Sequence, residues 1–142
     1  QDNIVTTKPT FSYYKVAADI HGIETRELAI GAAPEFAVNL DALIGLCDAQ
    51  TKIVFLCTPN NPTGSSLTLA QIEYVLQALP ETVIAIDEAY LEFSSVASAI
   101  ELMARYSNLV VMKTMSKAFA FAKCSNLLIG SFIAHYTHRI NR

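Results

Sequence analysis

The sequence predicts an α/β domain of three layers, with helices on both faces of a mainly parallel sheet. Three observations predict it. Short β-branched apolar runs alternate with helical stretches of about 10–15 residues, the rhythm of βαβ units. The runs Lys52–Cys57 (KIVFLC), Thr82–Ile86 (TVIAI) and Asn108–Met112 (NLVVM) are continuously apolar, as strands covered on both faces are. The chain has 142 residues, 52% of them hydrophobic, and a mean hydropathy of +0.34, enough for one sizeable core.

Each element has a local reason. Ile4–Thr7 is a short strand. Phe11–His21 reads as a helix stopped by Gly22, a residue suited to the left-handed step after a helix. Thr25–Ile30 alternates like a strand, and Asn39 or Asp41 can cap a helix over Ala42–Cys47. After the Lys52–Cys57 strand, Pro59-Asn60-Asn61-Pro62-Thr63-Gly64 must be a turn or loop. Thr68 begins a helix through about Leu79, with Glu73 on its outer face. Thr82–Ile86 is the next strand, Val96–Tyr106 a helix, and Asn108–Met112 another strand. Ser116 stands at the N-cap of a helix over Lys117–Ala122, and Leu127–Ala134 is a last strand. No repeat or linker interrupts the series, so residues 1–142 read as a single domain with right-handed crossovers.

Composition excludes several functions. The net charge is −3, only 16% of residues are charged, and no basic stripe exists to neutralise phosphates, so no nucleic-acid partner is expected. No run of 18 apolar residues suggests a transmembrane helix. Gln1–Thr10 lacks the pattern of a signal peptide. Cys47, Cys57 and Cys124 make an odd count without framework spacing, which fits reduced thiols and a cytoplasmic location; their plain reading is small core hydrophobes. His135 and His138 have no acidic or thiol partner nearby, so no metal site is expected. The phosphate-cradling patterns G-x-G-x-x-G and G-x-x-x-x-G-K-[ST] are absent.

In a parallel α/β sheet, ligands sit outside the carboxyl ends of the strands. The chemistry-bearing residues fall there. Asp87 ends an apolar strand, where a carboxylate is poorly solvated and wants a cation or donor; its other reading is a turn cap. Lys117 at a helix start faces a partly positive end, which can lower an amine's pKa and make it a better nucleophile toward a carbonyl; its other reading is an exposed lysine. Thr114 and Ser116 flank the same start and can bind an anion or simply cap the helix. Asn61 can aim its amide at a ligand or merely stiffen a turn. Tyr90 lies three residues after Asp87 and can share its pocket or pack in the core. Phe11 can stack on a flat ligand or be a core phenylalanine. A phosphorylated aromatic aldehyde would use all of these groups together.

The stretches PTFSYYKVAADIHG (9–22), CTPNNPTG (57–64), IDEAYLEFS (86–94) and KTMSKAFAFA (113–122) carry a resemblance. In this order and at these separations they resemble the pyridoxal-phosphate-dependent aminotransferases of the aspartate-aminotransferase fold, most closely the histidinol-phosphate branch. The likeness covers nearly all of the chain up to Ala122. It implies a partial large domain of that fold, binding pyridoxal 5'-phosphate and moving an amino group between an amino acid and a 2-oxo acid, of the histidinol-phosphate/2-oxoglutarate type, in a homodimer. Lys117 would bond covalently to C4′ of the cofactor and, once freed by the substrate amine, move a proton between Cα and C4′. Asp87 would pair with the pyridine nitrogen. Tyr90 and Asn61 would hydrogen-bond the 3′ oxygen, Phe11 would stack on the ring, and Thr114 and Ser116 would bind the phosphate.

Two departures qualify this. After Ala122 the family reads roughly A-G-x-R-x-G before an apolar strand, whereas here Lys123-Cys124-Ser125-Asn126 precede Leu127–Ala134, and the phosphate-clasping arginine is missing. Lys123 would supply its charge but not its bidentate fork. The family's members are also longer; the resemblance puts an N-terminal arm ahead of Gln1 and a small domain, with the residue that binds the substrate carboxylate, beyond Arg142. The alternative implied is a catalytically incomplete fragment that acts as a folded or partner-dependent domain.

Overall fold

Backbone pairing joins five strands into one sheet in the computed structural model, which describes residues 1–114, 116 and 117. The elements run β1 (Asn3–Lys8), α1 (Tyr13–Ile20), β2 (Glu24–Ala29), α2 (Leu40–Gly45), β3 (Thr51–Cys57), α3 (Leu69–Ala78), β4 (Val83–Asp87) and β5 (Leu109–Met112). Two short 3-10 helices, Leu91–Phe93 and Ala99–Leu102, fill the β4–β5 connection. The order is β2-β1-β3-β4-β5 and every pairing is parallel. The α/β class with a parallel sheet is thus as the sequence predicts.

Strand register sorts the side chains by face. Val54 is level with Ile84, and Ile84 with Leu109, so these point one way; Phe55, level with Ala85, points the other. The first face holds the main core, where Val5, Val54, Leu56, Ile84, Ile86 and Leu109 pack under α2, α3 and the Ala99–Leu102 turn. Fully burying each such aliphatic side chain is worth roughly 1.5–3 kcal/mol. α3 gives Ile72, Val75 and Leu76 to it, the i, i+3, i+4 stripe of an amphipathic helix. The second face carries Phe55, Ala85 and Asp87, with Tyr14 of α1 laid on Phe55.

Ends form where local chemistry asks for them. Asn39 caps α2 by accepting the Ala42 N–H at 3.0 Å. Thr68 and Gln71 close a capping box on α3. Gly22 has φ +65° and ends α1. The strand bounds shift from the predicted ones by a residue or so, as expected of frayed ends.

One prediction is overturned. Val96–Tyr106 is not an α-helix; only Ala99–Leu102 winds, as a 3-10 turn. The cause is tertiary. Ser98 is held extended, and the buried Glu88 carboxylate takes the Ala99 N–H at 2.6 Å and the Ser98 hydroxyl at 2.7 Å. That tether starts the turn three residues late and fixes its entry, against the helical spacing of the segment. The helix predicted over Lys117–Ala122, beyond its first residue, and the strand predicted over Leu127–Ala134 lie outside the described residues, as do Cys124, His135 and His138.

Candidate functional site

Strand order reverses between β1 and β3: the chain leaves β1 toward β2 on one side, and β3 lies on the other. Such a switch point splays the loops at the carboxyl ends and opens a crevice there. The Pro9–Phe11 segment and the Thr58–Gly64 loop meet at this place. Asn60 ties them together. Its amide donates to the Pro9 carbonyl at 3.0 Å and to the Thr63 hydroxyl at 2.9 Å, and its oxygen accepts from the Thr10 hydroxyl at 2.7 Å. Gly64, at φ +74°, returns its N–H to the Asn60 carbonyl at 2.7 Å. Asn60 is therefore the strut of the loop. Its neighbour Asn61 is partly exposed and lines a cleft of about 320 Å³ with Pro59, Tyr90, Phe93 and Ser94. That volume is at the low end of the roughly 300–1,000 Å³ typical of small-molecule sites.

Asp87 is the last residue of β4, level with Cys57 of β3. Both carboxylate oxygens are engaged: Oδ1 accepts the Ala89 N–H at 2.9 Å, and Oδ2 accepts the Tyr14 phenol at 2.5 Å. Tyr14 is itself fixed. Its ring stacks on Phe55 with centroids 4.8 Å apart and planes 9° off parallel, and Phe11 meets it edge-on at 5.5 Å and 82°. Burial, then the bond to Asp87, pushes the phenol far above its ordinary range, so Tyr14 stays protonated and donates. Burial, followed by the charge of Asp87, also pushes the Cys57 thiol up, in keeping with a small core hydrophobe. Phe11 is 42% exposed, so part of its ring is open to a ligand.

Tyr90 links the cleft to the lysine. The Lys117 Nζ lies 5.6 Å from the Tyr90 ring centroid, within cation–π range. No ion pair engages Lys117 among the described residues, whereas Lys113 sits 3.2 Å from Glu92 and 3.8 Å from Glu88. The Thr114 and Ser116 hydroxyls pair at 2.7 Å, and the Ser116 N–H donates to Thr114 Oγ1 at 3.1 Å.

The sequence-predicted residues thus fall in three groups: Asn61 and Tyr90 in the cleft, with Lys117 reaching it only through the Tyr90 ring; Phe11 with Asp87 in the aromatic cluster; and Thr114 with Ser116. Asp87 and Phe11 do not line the cleft itself. Thr114 and Ser116 form a third, local pair just past β5. A separate cavity of about 200 Å³ lies under Glu35–Val38 and shares Cys57 and Asn60 as walls, but not the lysine or the carboxylate. Among the described residues no group of three His, Cys, Asp or Glu is placed to hold a metal. Nor is any helix there long and apolar enough to cross a membrane. Sequence reasoning missed Tyr14. Its signal was the spacing from Phe11, three residues that bring two aromatic rings together at the start of α1.

Comparison with known proteins gives this geometry a family. The model of aminotransferase class I and II matches residues 1–124. The chain is 41% identical over 123 residues to a histidinol-phosphate aminotransferase of Francisella philomiragia subsp. philomiragia, covering 86% of this chain and 34% of that protein. It is 44% identical over 138 residues to one from Xanthomonas campestris pv. campestris, covering 95% of this chain and 37% of that protein. The solved histidinol-phosphate aminotransferase of Clostridium acetobutylicum superposes with a TM-score of 0.78 at 25% identity, over 87% of this chain and 37% of that one. The chain therefore spans just over a third of the length of these relatives. With the family model covering all but the last 18 residues, this chain belongs to the aminotransferase class I and II family.

Proposed function

We propose that this chain is part of the cofactor-binding large domain of a pyridoxal-phosphate-dependent aminotransferase, moving an amino group between histidinol phosphate and 2-oxoglutarate. The observation that carries the reading is the Lys117 ammonium beside the Tyr90 ring, next to the cleft that Asn61 lines. The residues fit the cofactor. Phe11 offers an open aromatic face, Thr114 and Ser116 offer paired hydroxyls for a phosphate, Asp87 offers a fixed carboxylate, and Lys117 offers an amine with no ion-pair partner among the described residues.

When bound, the cofactor supplies an electron sink for the carbanion at the substrate Cα. The chain's own residues do the rest. Lys117 would hold the cofactor through its amine and, when free, would serve as the base for the substrate Cα proton. Asp87 would keep a proton at the ring nitrogen. Tyr90 and Asn61 would donate to the 3′ oxygen and keep the ring in one orientation. Phe11 would stack on the ring and exclude water from that side. The hydroxyls of Thr114 and Ser116 would donate to the phosphate.

Similarity to the histidinol-phosphate enzymes supports the substrate class, an amino acid and a 2-oxo acid; the exposed apolar side of α1, with Tyr13, Val16 and Ile20, supports a homodimer as the working form. The reduced state expected of the odd set of cysteines supports a cytoplasmic location. Titrating the protein with pyridoxal phosphate tests the reading. The wild type develops a visible band that Lys117→Ala lacks; no lysine-dependent band at any cofactor concentration refutes it.

A second reading, capture of the cofactor without turnover, is favoured by one observation: no arginine stands between Lys117 and His138, where the resemblance puts the phosphate clasp. A visible band with no amino transfer from glutamate would select this second reading.

A further inference from the structure

Resting on the reading that Asp87 receives the ring nitrogen, we propose that Tyr14 is a positioning residue, whose phenol fixes the Asp87 carboxylate plane and thereby sets how the site grips and titrates its cofactor. The geometry isolates one role for the hydroxyl. Phe55 and Phe11 already pack the ring, and a phenylalanine would pack there equally well. The oxygen adds only the 2.5 Å bond to Oδ2. With Oδ1 held by the Ala89 N–H at 2.9 Å, the carboxylate is clamped from two sides and cannot rotate about its χ2. Each oxygen keeps a further lone pair for a ligand. Tyr14 is buried and lies on α1, so the clamp joins α1 to the end of β4. The same ring meets Phe11 edge-on, so Tyr14 supports both the stacking face and the carboxylate.

Tyr14→Phe removes the hydroxyl and keeps the packing. Four proteins form the test: wild type, Tyr14→Phe, Asp87→Asn and the double variant, each titrated with pyridoxal phosphate across pH. The proposal expects Tyr14→Phe to weaken cofactor binding about ten-fold, the effect of one bond worth about 1.4 kcal/mol, and to shift the pH midpoint of the lysine-dependent visible band. Both effects should vanish in the Asp87→Asn background, because the hydroxyl acts only through that carboxylate. A merely structural tyrosine would lower the melting temperature and leave affinity and midpoint unchanged, and that result overturns the proposal. Equal effects in both backgrounds also overturn it. A wild type that never develops the band defeats the parent reading, and this inference with it. Infrared spectroscopy without cofactor separates the two failures. If the Tyr14–Asp87 bond exists, Tyr14→Phe shifts the carboxylate stretch that Asp87→Asn removes; if that stretch does not move, the clamp itself is wrong.

Discussion

Glu88 is 1% exposed, yet its carboxylate is fully used. Oε1 takes the Ala99 N–H, Oε2 takes the Ser98 hydroxyl, and its own N–H donates to the Met112 carbonyl at 2.8 Å. It fastens the exit of β5, which leads to Thr114, to the turn beyond Tyr90. Glu88→Ala orphans the Ala99 N–H and should cost roughly 2–4 kcal/mol of stability. Glu88→Gln, which can still accept from Ala99, should cost less; denaturant unfolding of both variants checks the order. Phe11 is the opposite case, a large ring left part open. Phe11→Ala should weaken cofactor capture about five-fold, near 1 kcal/mol, with little change in melting temperature, as equilibrium titration would read. Asp87 was legible in the sequence as a site candidate, since a carboxylate after an apolar strand must be satisfied; Glu88 was not. Nor was the partner of Asp87. Nothing local links Asp87 to Tyr14, 73 positions earlier, because only the packing of α1 on β3 brings them together.

At the scale of elements, helix starts and buried strands were readable because their causes are local. Thr68 starts the helix as the sequence predicts, and with Gln71 three residues on it closes a capping box. Thr68→Ala should cost about 1 kcal/mol, seen as a lower unfolding midpoint. The turn over Ala99–Leu102 was not readable, because Glu88 imposes it from another element. The amino ends of the strands show the same long-range logic. Asp48, before β3, accepts from Asn3 of β1 at 3.0 Å and from the Gln50 N–H at 2.8 Å, and lies 2.7 Å from the Arg26 guanidinium of β2. Arg26 first, then Asn3 and the Gln50 N–H, hold its carboxyl well below the usual carboxylate range. A depressed folded-state pKa contributes stability above the unfolded value, about pH 4, and that contribution is lost progressively as pH falls below it. Asp48→Asn should therefore flatten the loss of stability below about pH 4. Unfolding curves run from neutral to acid pH test this, and an unchanged acid limb would contradict it.

Over the whole molecule, the sheet is well defended on one edge and one face. β2 ends the sheet with Glu24, Arg26 and Glu27, whose charges discourage further strand pairing. The outer side of α1 is different: Tyr13, Val16 and Ile20 are exposed at helical spacing, Ile20 by 72%, and Phe93 beside the cleft by 69%. Apolar surface of this kind drives association. The chain should self-associate at high concentration, and Val16→Lys with Ile20→Lys should reduce it; sedimentation velocity showing a wild-type monomer throughout would contradict this. The fold class was legible because alternation of apolar runs and helices leaves few topologies, and the site edge followed from it. The switch point between β1 and β3 was not, since strand order depends on which way each crossover turns.

All of this assigns one amine to one carbonyl. Borohydride reduction of the protein with pyridoxal phosphate, followed by peptide mapping, reads that assignment directly. The account predicts the reduced cofactor on the peptide carrying Lys117, with Lys113, already paired to Glu92, left bare. A label on Lys113 or another lysine, or no label, would contradict it.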